Sequence, residues 1–188
     1  MVWPLVGDAI QLYGGYGFSE EYPLAQIARD CKIYSLWEGT NYIQSMDLTG
    51  RKWTLKQGRL FMDWLQDMEA IADTMAGRAE FTAESAILKE GFASYKRIKA
   101  RMDDYKQQGK AEMLPLYATR ILHATAQLGC GALLLDQAAL AADKIRELGS
   151  DHWDLAYYQG KIDAARFYIR NHVPAIMNLE SILKYDDD

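Results

Sequence analysis

The chain has 188 residues, 49% of them apolar and 25% charged, with a formal charge of −5. That size and balance suit a water-soluble domain whose core needs neither disulfides nor metals. They argue against a nucleic-acid or anionic-membrane partner, since both select for a Lys/Arg stripe and none is present. Only four prolines interrupt the chain, which leaves long windows for helix. From the N-terminus, residues 5–13 predict a short helix with Leu5, Ala9, Ile10 and Tyr13 on one face.

The run from Gly14 to Pro23 reads as a loop with backbone freedom at Gly14, Gly15 and Gly17. A second helix is expected over 24–36, with Ile27, Cys31 and Tyr34 on one side and Arg29, Asp30 and Lys32 on the polar side. Trp37 to Thr40 interrupts the pattern. Asn41 then predicts an N-cap, with Gln44 reaching back to complete a capping box, and a helix over 41–52. Lys56-Gln57-Gly58 reads as a joint, so the expected division is 1–56 and 57–188.

Beyond the joint the chain turns to long amphipathic segments over 59–78, 82–108, 111–148 and 151–184, the last bending near Pro174. In the third, Leu114, Tyr117, Ile121, Ala124, Leu128, Ala132, Leu135, Ala139 and Ala142 recur at helical steps. Gly129 and Gly131 within that helix would admit a close neighbour. The expected fold class is all-α, ending in an antiparallel bundle of long helices. Trp64, Tyr95, Trp153, Tyr157, Tyr158 and Phe167 are assigned to its packing.

Cys31 and Cys130 form no disulfide framework or metal motif and read as packed free thiols of a reducing compartment. His123, His152 and His172 lack ligand spacing, so no metal site is expected. The N-terminus has no signal-like segment, and the densest apolar run, Leu128 to Leu135, is too short to span a bilayer. The expectation is a cytoplasmic protein.

Residues 8–46 carry an ordered set of motifs. Gln11-Leu12-Tyr13-Gly14-Gly15 is followed by Tyr16-Gly17-Phe18 and Glu21-Tyr22-Pro23. Arg29-Asp30, Lys32-Ile33-Tyr34 and Trp37-Glu38-Gly39-Thr40 come next. Alone, Glu38 is an ordinary acid before a helix cap, and Gly14-Gly15-Tyr16-Gly17 is a plain turn. In this order and spacing they resemble the acyl-CoA dehydrogenases. The segment Asp47 to Lys52, the helical extension and Gly160 to Phe167 resemble the branch with an additional C-terminal helical domain. The 3-methylmercaptopropionyl-CoA dehydrogenase-like enzymes belong to that branch.

The resemblance implies an FAD enzyme that removes hydrogens from the α and β carbons of an acyl-CoA thioester. Glu38 matches the catalytic carboxylate that takes the α-proton in one large group of these enzymes, while some relatives place the base elsewhere in the fold. Burial beside an aromatic such as Trp37 and an acyl chain would raise its basicity. Gly39 would leave room for the thioester, whose carbonyl the family holds on the backbone N–H of the catalytic Glu. Thr40, Asn41 and Tyr42 match positions that contact FAD, with the departure that many members carry Gln where this chain has Tyr42. Gln11, Gly14 and Gly15 match a stretch that touches the FAD of a neighbouring subunit. Electron-transfer flavoprotein is the family's usual electron acceptor.

The family fold places an N-terminal helical domain and a β domain before its C-terminal bundle. The match begins at about the last bundle helix, so residues 1–56 correspond to the end of the catalytic domain. The isolated chain is therefore expected to be an excised fragment, a truncated reading frame or a separate polypeptide, inactive and without tightly bound FAD. It is also expected either to form a homo-oligomer through apolar side chains of residues 5–53, among them Leu12, Tyr13, Ile27, Ile33 and Leu36, or to be disordered in that region. A helical oligomerisation module without catalysis is the rival reading.

Overall fold

The hydrophobic periodicity is realised as helix almost throughout. The computed structural model describes residues 2–187, and no strand occurs among them. The helices are α1 (Val2–Tyr13), α2 (Gly15–Phe18), α3 (Leu24–Ile33), α4 (Thr40–Met46), α5 (Arg59–Met75), α6 (Thr82–Gln107), α7 (Met113–Glu147), α8 (Leu155–His172) and α9 (Pro174–Leu183). Two compact units contain them, Met1–Gln44 and Ser45–Asp188.

In the first unit α1 and α3 lie antiparallel. Lys32, near the end of α3, sits over the Trp3 ring near the start of α1. At the other end the Tyr13 and Tyr22 rings meet edge to face at 6.0 Å. The segment expected as loop contains the one-turn helix α2. It forms there because Gly17 packs directly on the α1 backbone, where an added Cβ would lie 2.5 Å from the Ile10 carbonyl oxygen. Val6 is a buried apolar anchor of this unit, whereas no residue of α3 is fully buried.

The second unit starts before the expected joint at Lys56–Gly58. Residues Asp47–Lys52 continue α4 as a π-helical turn, in which Thr49 Oγ1 donates to the Ser45 carbonyl at 2.8 Å. Leu48 and Trp53 are buried in the core of this unit, which is why the packing boundary falls at Gln44–Ser45. Arg51 and Lys52 are not free helix-end charges, since both pair with Asp47. The joint itself is a run of left-handed residues, Lys56, Gln57 and Gly58, with φ of 50°, 62° and 84°.

Helices α5, α6 and α7 and the pair α8–α9 form the bundle. The α7 stripe is its spine: Tyr117, Ile121, Ala124, Leu128, Ala132, Leu135, Ala139 and Ala142 are all buried, and Leu114 packs at its edge. The fourth segment breaks between His172 and Pro174, as expected for a proline that cannot donate into the preceding turn. Val173, at the break, is fully buried. It occupies a socket made by two glycines. A Cβ on Gly91 of α6 would lie 2.8 Å from Val173 Cγ1, and one on Gly131 of α7 3.3 Å from Val173 Cγ2 and 2.9 Å from Leu88 Cδ2. Gly129 likewise admits Trp64, at 3.2 Å.

Polar ties close the bundle. Trp53, Phe61 and Tyr95 form an aromatic cluster, with the Tyr95 hydroxyl 2.6 Å from Thr125 Oγ1 and its pKa pushed up to about 12 by burial. The buried Glu84 carboxylate accepts from Arg170 at 2.8 Å, linking α6 to α8. Arg78, between α5 and α6, binds Glu80 at 2.8 Å and Asp143 of α7 at 2.9 Å, and Arg146 pairs with both acids.

The aromatic assignment needs correction. Trp64, Tyr95 and Tyr158 pack against or within the core, but Trp153 is 85% exposed and Tyr157 and Phe167 are each 60% exposed. Those three lie on outward faces that aromatic content alone does not reveal. The thiols differ from expectation too: Cys31 is half-buried and Cys130, on the outer side of α7, is exposed.

Two predictions follow from this packing. Gly131→Ala should lower the unfolding free energy of the chain by about 1–3 kcal/mol through overpacking against Leu88 and Val173. Gly160→Ala, in α8 where an added Cβ meets nothing, should raise it by about 0.5–1 kcal/mol. Urea denaturation of both variants reads the contrast. The second concerns acid. The hydrogen bond from Arg78 is the main cause holding Glu80 at about 2, below its ordinary 4.5, and it also holds Asp143 low. Depressed acids stabilise the fold above their unfolded pKa, and that contribution is lost as pH falls through the folded value. Thermal midpoints should therefore fall between pH 4.5 and about 2. Arg78→Gln should flatten that dependence.

Candidate active site

The segment from Ser35 to Gln44 is built as a strained turn between two helices. The amides of Leu36 and Trp37 both donate to the Ile33 carbonyl, at 2.9 and 3.0 Å, as α3 unwinds. Glu38, Gly39 and Thr40 then take φ values of 54°, 99° and 62°. Only glycine is at ease there, and a β-branched threonine with positive φ is a conformational outlier. Gly39 is needed for space as well, because a Cβ would come within 3.2 Å of Ile43 Cγ2.

Three hydrogen bonds hold this turn. The Asn41 amide donates to the Ser35 carbonyl at 3.3 Å. The Ile43 amide donates to Thr40 Oγ1 at 3.4 Å. Gln44 Nε2 donates to the Glu38 carbonyl at 2.5 Å. The cap of α4 is therefore Thr40, one residue before the expected Asn41, and Gln44 reaches Glu38 instead of closing a box on Asn41. The left-handed residues turn the chain so that the threonine hydroxyl, and not the asparagine amide, faces the third amide of the helix. Sequence reasoning missed Gln44 as a clamp of this turn. Its signal was the position itself, four residues after Thr40 on the face that follows a left-handed glycine.

Glu38, Gly39, Thr40 and Tyr42 are exposed and Asn41 is half-buried. Trp37 packs edge to face on Tyr34, with centroids 6.1 Å apart, yet is 55% exposed. These residues by themselves give Glu38 no apolar wall, so the desolvation expected beside Trp37 has to come from elsewhere.

Gln11, Gly14 and Gly15 form a second exposed group, at the junction of α1 and α2. Gly14 has φ of 59°, and a Cβ added at Gly15 would meet nothing within 4 Å. Nothing among the described residues requires glycine at position 15, which leaves close approach by another molecule as a use for it. The antiparallel α1–α3 pairing puts this group beside the start of α3, whereas Glu38 follows its end. The length of α3, about 15 Å for ten residues, separates the two groups. The structure thus gathers the candidate residues into two sets, Gln11–Gly15 and Glu38–Tyr42, and does not bring the sets together.

Among the described residues no cluster of three or more His, Cys, Asp or Glu could hold a metal ion, and no helix is long and apolar enough to cross a membrane.

Comparison with known proteins matches both regions to related families. Residues 1–53 match the acyl-CoA dehydrogenase C-terminal domain, and residues 64–188 match a family described as acetyl-CoA dehydrogenase C-terminal like. The chain is 47% identical to a butyryl-CoA dehydrogenase from Syntrophomonas wolfei over 100% of its own length and 30% of the relative's. A broad-specificity linear acyl-CoA dehydrogenase from Mycobacterium tuberculosis is 28% identical over 96% of this chain and 30% of that protein. A subunit of the caffeyl-CoA reductase-Etf complex from Acetobacterium woodii is 40% identical over 46 residues, 24% of this chain and 12% of that subunit.

Proposed function

This chain belongs to the acyl-CoA dehydrogenase family as part of its C-terminal region, and from that membership we propose that it supplies the base of an FAD-dependent α,β-dehydrogenation of an acyl-CoA thioester. The observation that carries the proposal is the Glu38–Gly39–Thr40 turn. Its left-handed backbone lies just before α4, leaves the Glu38 carboxylate exposed and places a side-chain-free residue immediately after it.

In this reading Glu38 takes the α-proton of the thioester, and its own backbone N–H steadies the carbonyl as negative charge develops there. Gly39 gives the thioester access. Bound FAD would supply the acceptor for the β-hydrogen, which leaves as hydride. The residues fit such a group. Thr40 Oγ1 accepts from the Ile43 amide, so its hydroxyl hydrogen remains for a cofactor acceptor. Asn41 and Tyr42 stand in the first turn of α4, and Gly15 offers backbone with open space above it. The separation of Gln11–Gly15 from Glu38–Tyr42 supports two half-sites serving two flavins, the second held mainly by a neighbouring subunit. A homo-oligomer follows, consistent with Leu12 and Phe18 at 86% and 85% exposed.

The chain spans 30% of the length of the relatives it matches. The flavin's remaining walls, and the apolar cover that Glu38 lacks, belong in this account to the rest of such a protein. The 188 residues alone should therefore be colourless and inactive. The relative named as a butyryl-CoA dehydrogenase makes butyryl-CoA the first substrate to assay. The one named for an Etf complex supports an electron-transfer flavoprotein as acceptor. Cytoplasmic residence belongs to the same reading, supported by two unpaired cysteines. The domain division at 56–57 is kept as a functional boundary, with residues 57–188 as the helical extension. The rival, an oligomerisation module without catalysis, is favoured if the protein of the relatives' length purifies without flavin.

In a protein of that length ending in this chain, Glu38→Gln should keep its flavin and lose about 10²–10⁴-fold in turnover. Visible absorbance and butyryl-CoA oxidation by a dye acceptor read the two quantities. Near-normal turnover would move the base to another residue.

A further inference from the structure

We infer that Gln44 is a positioning residue for Glu38, a role that rests on the reading of Glu38 as the base. The turn it holds is unfavourable by itself. Of three successive residues with positive φ, the two that are not glycine, Glu38 and the β-branched Thr40, cost energy. Such a conformation persists only where the surroundings over-determine it. Gln44 supplies a constraint from within the same unit, since its Nε2 donates to the Glu38 carbonyl at 2.5 Å across six residues. The same amide nitrogen lies 3.6 Å from where a Cβ on Gly39 would stand, so Gln44 also backs the glycine. Thr40 holds the other side through the Ile43 amide. The turn is pinned at its first and last residues, with the glycine between them.

The consequence concerns aim. The bond to the Glu38 carbonyl restrains the Glu38–Gly39 peptide plane and so helps to hold Glu38 at its positive φ, which sets where its Cβ leaves the backbone. Without the clamp, Glu38 and Thr40 can relax to negative φ, which swings the side chain away. A base displaced by about 1 Å loses on the order of 10²-fold in rate while substrate binding through other groups is retained. Gln44 touches the backbone of Glu38 and not the reacting atoms, so its effect falls on kcat and not on KM.

Two variants separate this role from general stability. Gln44→Met keeps the length of the side chain and removes the donor, and Gln44→Lys keeps a donor. In the 188-residue chain, the Cα chemical shifts of Glu38 and Thr40 should lose their left-handed signature in Gln44→Met and retain it in Gln44→Lys. In the protein of the relatives' length, Gln44→Met should keep its flavin and a KM for butyryl-CoA within about twofold, with kcat lower by about 10²-fold. The isotope effect from α-deuterated butyryl-CoA should rise, and Gln44→Lys should recover most of kcat. Unchanged shifts, or an unchanged kcat in Gln44→Met beside an inactive Glu38→Gln, overturn the inference and leave the base assignment standing. Equal losses in Met and Lys variants, with flavin loss, assign Gln44 a structural role only and also overturn it. An active Glu38→Gln removes the underlying reading itself.

Discussion

Left-handed backbone at Glu38, Gly39 and Thr40 is the constraint from which the candidate site follows. It prevents the chain from running on as helix after Trp37 and starts α4 on the threonine hydroxyl. A continuous helix through these residues would wrap Glu38 into a regular surface. The broken one leaves a carboxylate at a corner, flanked by a residue without a side chain. The strain is local and is met by local bonds, from Gln44 to Glu38 and from Ile43 to Thr40. Backbone strain held at a corner is a recurrent means of presenting a reacting group.

The second unit is organised by a different rule, close approach. Val173 sits where Pro174 breaks the last long helical segment and fills a socket open only because Gly91 and Gly131 lack side chains. The α7 stripe supplies the area, and burial of that area supplies most of the stabilisation, at about 25 cal/mol per Å². Charged residues sit around the bundle as pairs and small networks. Such exposed pairs contribute little individually, but Arg78 with Glu80 and Asp143 ties the α5–α6 connection to α7.

Much of this was legible in the sequence. The α7 stripe, the break at Pro174 and the glycines at 129 and 131 are periodicity and proline chemistry written out directly. Less legible were features that depend on a backbone angle or on a distant contact. Helix α2 formed inside an expected loop because Gly17 rests on Ile10. The cap moved from Asn41 to Thr40 because the residues before it are left-handed. Trp153, Tyr157 and Phe167 lie outside because composition does not say which face a side chain takes. The candidate site was nameable from the order of its motifs and their resemblance to a family. The resemblance already assigned those residues to two sets; the α1–α3 pairing that holds the sets apart is what no local pattern encodes.

The central claim is that one chain contributes to two sites, Glu38–Tyr42 to one and Gln11–Gly15 to the neighbour's. Intersubunit complementation tests it. In the protein of the relatives' length, Glu38→Gln should inactivate each site from within. Gly15→Asp, at a position with open space above it, should inactivate the neighbour's site by setting a carboxylate against the cofactor. Each homodimer is then inactive. A mixed dimer of the two variants, isolated by two affinity tags, has one site with both defects and one with neither. The account predicts recovery of about half the activity of the unmutated dimer. Mixed dimers that form and remain as inactive as either parent would contradict it, placing both residue sets in the same site.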